Sequence, residues 1–341
     1  MMRKPLLPLG FAAVCLLGLV VAALLGTRSV MHSYLGAWLI VLALPAGALP
    51  LAMGLEILPV DGLAIGSSLR RLLGLMPLAA VLALPVLLAR RELFPDLGGA
   101  TSGFAGAWNG TAFFVVRAIL ILLAWALLGV LFARPAARRR PMLAGFGLAL
   151  HVVLVTLAAQ DWILAVEPSF TSSAAGLLLL AAQSGMALAV AGLMSTRQSV
   201  SRAPDRLPAA LAMTLAVWLF LAFTQYLVVW SANLPAEATW YRHRSADLGF
   251  GAEIAAGIIC LVSLTVLPRA AARSSGLIAA VAALVALVHA GEMLWLVTPA
   301  IRGHFSVRLT DLLAVAGLVS LGLGFGRVFG AGTATGEIRR G

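Results

Sequence analysis

Residues 111–132 read TAFFVVRAILILLAWALLGVLF, with Arg117 as the one charge. As an α-helix this run is about 33 Å long, enough to cross the hydrocarbon core of a bilayer. Its apolar residues are continuous, without the in–out alternation of a membrane β-barrel strand. One such run could be an anchor, so its neighbours decide the architecture.

The neighbours repeat it. The chain has 341 residues, of which 62% are hydrophobic and 11% charged, with a mean hydropathy of +1.03. A soluble domain carries about 25% charged residues. Apolar runs separated by charged or Pro/Gly-rich breaks fall at about 9–26, 34–58, 69–89, 111–132, 142–160, 173–195, 208–231, 248–267, 275–297 and 311–330. The expected fold is therefore all-α, a polytopic membrane protein of ten transmembrane helices in one integral membrane domain over 1–341. The first run follows Arg3 and Lys4 as a signal peptide would. It lacks a small-x-small cleavage site, so it is read as an uncleaved helix.

The formal charge of +11 comes from 23 Arg and one Lys, set mostly in short loops. That placement orients helices in a bilayer and is no signal for nucleic acid. With the N-terminus in the cytoplasm, the cytoplasmic segments hold Arg3, Lys4, Arg70, Arg71, Arg134, Arg138, Arg139, Arg140, Arg197, Arg202, Arg206, Arg269, Arg273, Arg327, Arg339 and Arg340. The other side holds Arg28, Arg90, Arg91, Arg242, Arg244, Arg302 and Arg308. The asymmetry predicts two cytoplasmic termini and, in a bacterium, an inner-membrane location. Cys15 and Cys260 lie apart inside apolar runs, which leaves no thiol set for a cluster or metal.

Polar groups inside a span need a partner, water or a function. Arg117 lies roughly 9 Å into its span and Glu292 about 8 Å into the ninth, at similar heights on different helices. Together with Asp161, Gln225 and His289 they form the expected polar layer toward the extracytoplasmic face, the main candidates for a proton path or quinone site. His151, Gln183, Asn233, Glu237, Glu253 and Asp311 are secondary candidates. Arg117 is expected to pair with Asp161 or Glu292, leaving the other carboxylate free to titrate. The plainer alternatives are that Asp161, Glu253 and Asp311 are hydrated at span ends and that Arg117 snorkels on its long stem. His151 and His289 stand roughly 14 and 21 Å from the cytoplasmic face, too uneven for a bis-His haem. They read as core or relay histidines. Trp108, Trp162, Trp230, Trp240 and Trp295 near outer span ends fit an aromatic belt.

That belt does not account for the segment QYLVVWSANLPAEATWYRHR at 225–244. Its Gln225, Tyr226, Trp230, Asn233, Leu234, Pro235, Glu237, Trp240 and Tyr241 resemble a signature of one family. The family is the ActF-type membrane subunit of alternative complex III, a bacterial quinol:cytochrome c oxidoreductase, itself similar to the polysulfide-reductase (NrfD-like) membrane subunits. Ala236 departs from the signature where an acidic residue is usual, and Ser169 and Phe170 stand where the family usually has His-Trp in the loop after the fifth helix. Asp161-Trp162 with Glu167-Pro168 and Ser172, the stretch Phe113-Phe114-Val116-Arg117, and Glu292 with Leu294-Trp295, Val297 and Pro299-Ala300 match further family segments in order. The resemblance covers roughly 30–330. It implies two four-helix bundles, about 30–160 and 161–300, with flanking helices in 1–29 and 301–341. It implies no redox centre on this chain, with a quinone or quinol as the conceivable ligand. Haem c and iron–sulfur would belong to partners: a multihaem cytochrome c subunit, an iron–sulfur/molybdopterin-like subunit and a sister ten-helix quinol-oxidising subunit, all against membrane lipid.

Two other classes compete with a respiratory subunit that holds a quinone-like cavity or proton path. A secondary transporter would show broken helices paired between its halves. Pro45 and Pro50 interrupt the second span, Pro77 and Pro85 fall in the third, and the second half has no matching pair. A ligand-free scaffold subunit is the remaining alternative.

Overall fold

A computed structural model describes residues 6–27, 29–60, 63, 65–97, 102–134, 140–198, 206–246, 248–270 and 275–338. Of the basic residues that set the expected orientation, Arg3, Lys4, Arg28, Arg138, Arg139, Arg202, Arg273, Arg339 and Arg340 lie outside these, as do the side chains of Arg197, Arg269 and Arg327. The described residues form helices and no strand. These are α1 (Leu6–Leu24), α2 (Val30–Ile57), α3 (Gly66–Leu73), α4 (Met76–Val81), α5 (Leu84–Leu88), α6 (Arg90–Leu93), α7 (Gly103–Trp108), α8 (Thr111–Ala133), α9 (Pro141–Trp162), α10 (Ala175–Gln198), α11 (Leu207–Ala232), α12 (Pro235–Ser245), α13 (Leu248–Ala270), α14 (Ser275–Val297), α15 (Pro299–Arg302) and α16 (Leu309–Ile338). Among the described residues nine stretches are long and apolar enough to cross a membrane, and α13 adds an apolar core over Gly251–Leu267. The protein is an all-α, multi-pass membrane protein, and each of the ten expected spans has a helical counterpart.

Proline acts differently in the second and third spans. α2 runs unbroken through Pro45 and Pro50, contrary to the interruption expected there. It is the most enclosed of the candidate spans, packed against α3, α9, α10, α14 and α16. The third span breaks into α3–α6, with Pro77 and Pro85 in the first turns of α4 and α5, where a missing N–H costs nothing. At one break the Ala83 amide turns to the Ala80 carbonyl, which strands the Ala79 carbonyl. The indole Nε1 of Trp38 donates to that oxygen at 2.8 Å, and the Tyr34 hydroxyl donates to Leu82 O at 3.0 Å. Freed backbone groups in lipid must be met by other protein groups, and α2 supplies them.

In chain order the spans fall into a first set, α2, α3–α6, α8 and α9, and a second set, α10, α11, α13 and α14, and α10 packs on α2 and α9 as extensively as on α11 and α14. α1 lies on α16, which lies on α2. The seam between the sets is formed by α10 against α2, α9 and α3 and by α14 against α2. Gly47 is required there: a Cβ would run into the backbone carbonyl of Gln183. At the α16 end, Asp311 accepts from Arg302 Nη2 at 2.7 Å, Arg302 Nη1 at 2.8 Å and Ser33 Oγ at 2.6 Å. Asp311 is thus a buried tie between α16, α15 and α2, neither a hydrated span end nor part of the inner polar layer.

Candidate functional site

The turn inside the 225–244 segment shapes the site. Asn233 ends α11 in the left-handed conformation at φ 49°, a backbone state that Asn tolerates better than most residues. Leu234 is extended, and Pro235 opens α12 at a position that needs no N–H. Glu237 sits in the first turn of α12, where a negative charge suits the helix dipole. The chain therefore folds back, and α12 carries Trp240 and Tyr241 to the end of a cavity in the second helix set.

That cavity has a volume of about 590 Å³. Its walls are apolar residues of α10, α11, α13 and α14, with Gln225, Tyr241, Glu253 and Glu292 as polar groups and Trp218, Trp240 and Trp295 as aromatic ones. Leu287 on α14, 67% exposed, and Leu284 and Tyr226, each about half exposed, mark a mouth on the apolar outer surface. The volume falls in the range of pockets for small organic ligands, and the mix of apolar walls with few polar groups is typical of them.

Each polar group is held in place. Trp218 Nε1 donates to Glu292 Oε1 at 2.8 Å, and His289 Nδ1 lies 2.9 Å from Glu292 Oε2. His289 is fully buried, its ring accommodated by Gly185, where a Cβ would stand 2.7 Å from Nε2. Trp295 Nε1 donates to Glu253 Oε1 at 3.1 Å, and Ser245 Oγ donates to Oε1 and Oε2 at 3.2 and 3.1 Å. Gln225 accepts from Ser172 Oγ and donates through Nε2 to Tyr241 OH at 3.3 Å. Ser172, Gln225 and Tyr241, taken from two of the segments that carry the resemblance, thus meet in one hydrogen-bonded row. Burial pushes the Tyr241 phenol up to about 12, so it is a hydrogen-bonding group and not an acid at neutral pH.

A buried cation closes the α12 end. Arg244 has no exposed surface; its guanidinium stacks on Trp240 at 3.6 Å and donates to Glu167 Oε2 at 2.7 Å and to Leu296 O at 2.7 Å. Glu167 also takes His243 Nδ1 at 2.9 Å. Desolvation lowers the Arg244 pKa to about 10, which leaves it charged at neutral pH. Phe170 stacks on Trp240 with ring centroids 4.4 Å apart and meets Tyr241 edge-on. Sequence position alone puts Arg244 in an outer loop and Trp240 in an aromatic belt. Both are core residues here, and so is Trp162, whereas Trp230 is exposed as a belt residue should be. A signal for Arg244 did exist: it follows Trp240 by four residues, one helical turn, which permits stacking.

The expected single polar layer is divided. Arg117 pairs with Asp161, Nε to Oδ2 at 2.6 Å and Nη2 to Oδ1 at 2.7 Å, and Trp108 lies 3.9 Å from its guanidinium. Arg117 is 7% exposed and Asp161 3%, so the arginine does not snorkel and the aspartate is not hydrated. Of the two carboxylates open to Arg117, Asp161 takes it, and Glu292 faces the cavity instead. Asp161 still bears on the cavity through its neighbours Ile163 and Leu164, which form part of the wall. His151 is buried in the first set with its ring 5.8 Å from Trp125, and neither nitrogen has a hydrogen-bond partner. Gln183 is buried at the seam with its Oε1 unpartnered. Among the described residues no group of three or more His, Cys, Asp or Glu is placed to hold a metal ion. No protein-family model and no curated protein matches the chain.

Proposed function

We propose that the chain is an integral membrane subunit of a quinol-oxidising respiratory complex and that its cavity receives the head group of a quinol or quinone from the lipid phase. The observation that carries this reading is the 590 Å³ cavity, open among apolar surface residues and furnished inside with two tryptophan-bound carboxylates. A lipid-borne dihydroxy ring needs an entrance from lipid, flat aromatic walls and hydrogen-bond acceptors, and the mouth among exposed apolar residues, the three tryptophans and the two carboxylates support that reading. Glu292 with His289 also offers a proton acceptor, so ligand binding and proton movement share one site. The resemblance of the 225–244, 161–172, 113–117 and 292–300 segments supports the same assignment. It brings the partners that would hold the redox centres: a multihaem cytochrome c subunit, an iron–sulfur/molybdopterin-like subunit and a sister ten-helix subunit. The arginine asymmetry supports cytoplasmic termini in a bacterial inner membrane.

Two measurements test this. Extraction from the native membrane in mild detergent should co-purify c-type haem and iron–sulfur subunits with quinol:cytochrome c reductase activity. Recovery of the chain without them refutes the assembly. A short-chain quinone should saturably quench the tryptophan fluorescence of the full chain in nanodiscs, because Trp218, Trp240 and Trp295 wall the cavity. Quenching that rises linearly without saturation refutes the ligand.

A further inference from the structure

The two carboxylates of the cavity differ in what stands behind them. Glu292 is backed by His289, a ring with no exposed surface whose Nε2 has no hydrogen-bond partner. That connection ends inside the protein. Glu253 is backed by Ser245, the last residue of α12, which is half-buried and stands beside the exposed Arg242 and the half-buried His243. That connection ends at a part-exposed residue outside the candidate spans. We propose that the cavity exchanges protons with the aqueous face at α12 through Glu253 and Ser245, and that Glu292 with His289 is an inner acceptor that reaches water only by way of the cavity.

The proton step balances without an electron carrier. A cavity ligand's hydroxyl gives its hydrogen to a Glu253 oxygen, and the O–H electron pair stays on the ligand oxygen. The new carboxylic acid donates to Ser245 Oγ while the serine's own hydrogen passes to water as hydronium. The Glu253 carboxylate is restored, and Ser245 rotates back to donate to it. The charged and titratable groups facing Glu253 are Arg244 and Tyr241 from α12, Tyr226 from α11 and Glu292 from α14. Arg244 is tied to Glu167, so its charge is fixed while Glu253 cycles. The inference rests on the proposed function only for the ligand, a quinol hydroxyl. The route is a property of the chain.

Each carboxylate carries its own optical reporter, since Trp295 donates to Glu253 and Trp218 to Glu292. The experiment is a stopped-flow drop in pH on the full chain in nanodiscs, read by tryptophan fluorescence without added quinone. A fast phase is expected that disappears in Glu253→Gln and in Trp295→Phe and survives in Glu292→Gln and in Trp218→Phe. Ser245→Ala should slow it about tenfold, below the roughly 10²–10⁴-fold effect typical of a positioned proton-transfer group because water can partly replace a hydroxyl. Ser245→Thr, which keeps the hydroxyl, should restore it. A fast phase that persists in Glu253→Gln, that is lost in Glu292→Gln instead, or that ignores Ser245→Ala overturns the proposal. Saturable quinone quenching with no Glu253-dependent fast phase sinks the route alone. The fast phase without quinone binding sinks only the functional reading.

Discussion

Replacing Asp161 by Asn tests whether the Arg117 pair is as dry as its geometry indicates. The substitution keeps the shape of the side chain and removes its charge. Arg117 then keeps its stacking on Trp108 at 3.9 Å and one hydrogen bond to the amide oxygen, but it loses the negative charge and the second acceptor of its 2.6 and 2.7 Å pair, where the amide NH2 now faces a guanidinium N–H. The arginine is 7% exposed, which leaves little room for water to take the place of the carboxylate. Removing one partner of a buried pair costs about 3–5 kcal/mol, against a total stability of about 5–15 kcal/mol for a typical protein. The double variant Arg117→Met with Asp161→Leu removes both charges and leaves apolar volume. It should recover most of the loss, since apolar replacement of buried pairs is often neutral or better. Thermal unfolding of the full chain in nanodiscs, completed as a double-mutant cycle, measures the coupling. If Asp161→Asn falls within about 1 kcal/mol of the parent, the value of an exposed pair, the desolvation argument is wrong. A double variant less stable than either single one refutes it as well.

Three further outcomes are expected. Glu292→Gln should assemble and fold normally, because the amide can still accept from Trp218, yet it should impair proton-coupled turnover of the native complex; unchanged turnover would reduce Glu292 to packing. Asn233→Gly should be tolerated, whereas Asn233→Ala should cost about 1–2 kcal/mol for a left-handed residue with a Cβ and expose Trp240, read as a red-shifted emission. Gly47→Ala should destabilise by about 1–3 kcal/mol or more, the scale of overpacking, because the obstructing atom is a carbonyl on a helix backbone that cannot swing aside.

The fold was legible because bilayer thickness demands long apolar runs, and length and composition alone reveal them. The third span was legible as a span but not as four short helices, since its continuity depends on whether Trp38 and Tyr34 of another helix can satisfy freed carbonyls. The site was partly legible. Gln225, Glu253 and Glu292 stood out as polar groups in apolar runs, and all three line the cavity. Arg244 and Arg302 did not stand out, because both follow a span end and a charge there is normally solvated. Their burial depends on Glu167 and Asp311, which arrive from elsewhere in the chain. Trp218 looked like one more apolar residue of α11, and only the approach of α14 makes it a donor to Glu292. Depth along a helix placed Arg117 and Glu292 at one level but carried no information about azimuth, and azimuth sends one to Asp161 and the other to the cavity.

The contact between Gly47 and the Gln183 carbonyl bears on how the two halves can move. Alternating access requires one half of a carrier to rock against the other, and rocking needs a joint whose side chains can exchange one packing for another. At this point main chain meets main chain, with no rotamers to redistribute, while elsewhere along the seam side chains meet, Leu294 and Val297 against Gly36 and Ser68 against Ser195. A close approach of this kind resists sliding of α2 along α10 and makes Gly47 the natural pivot for any movement that the side chains on either side of it permit.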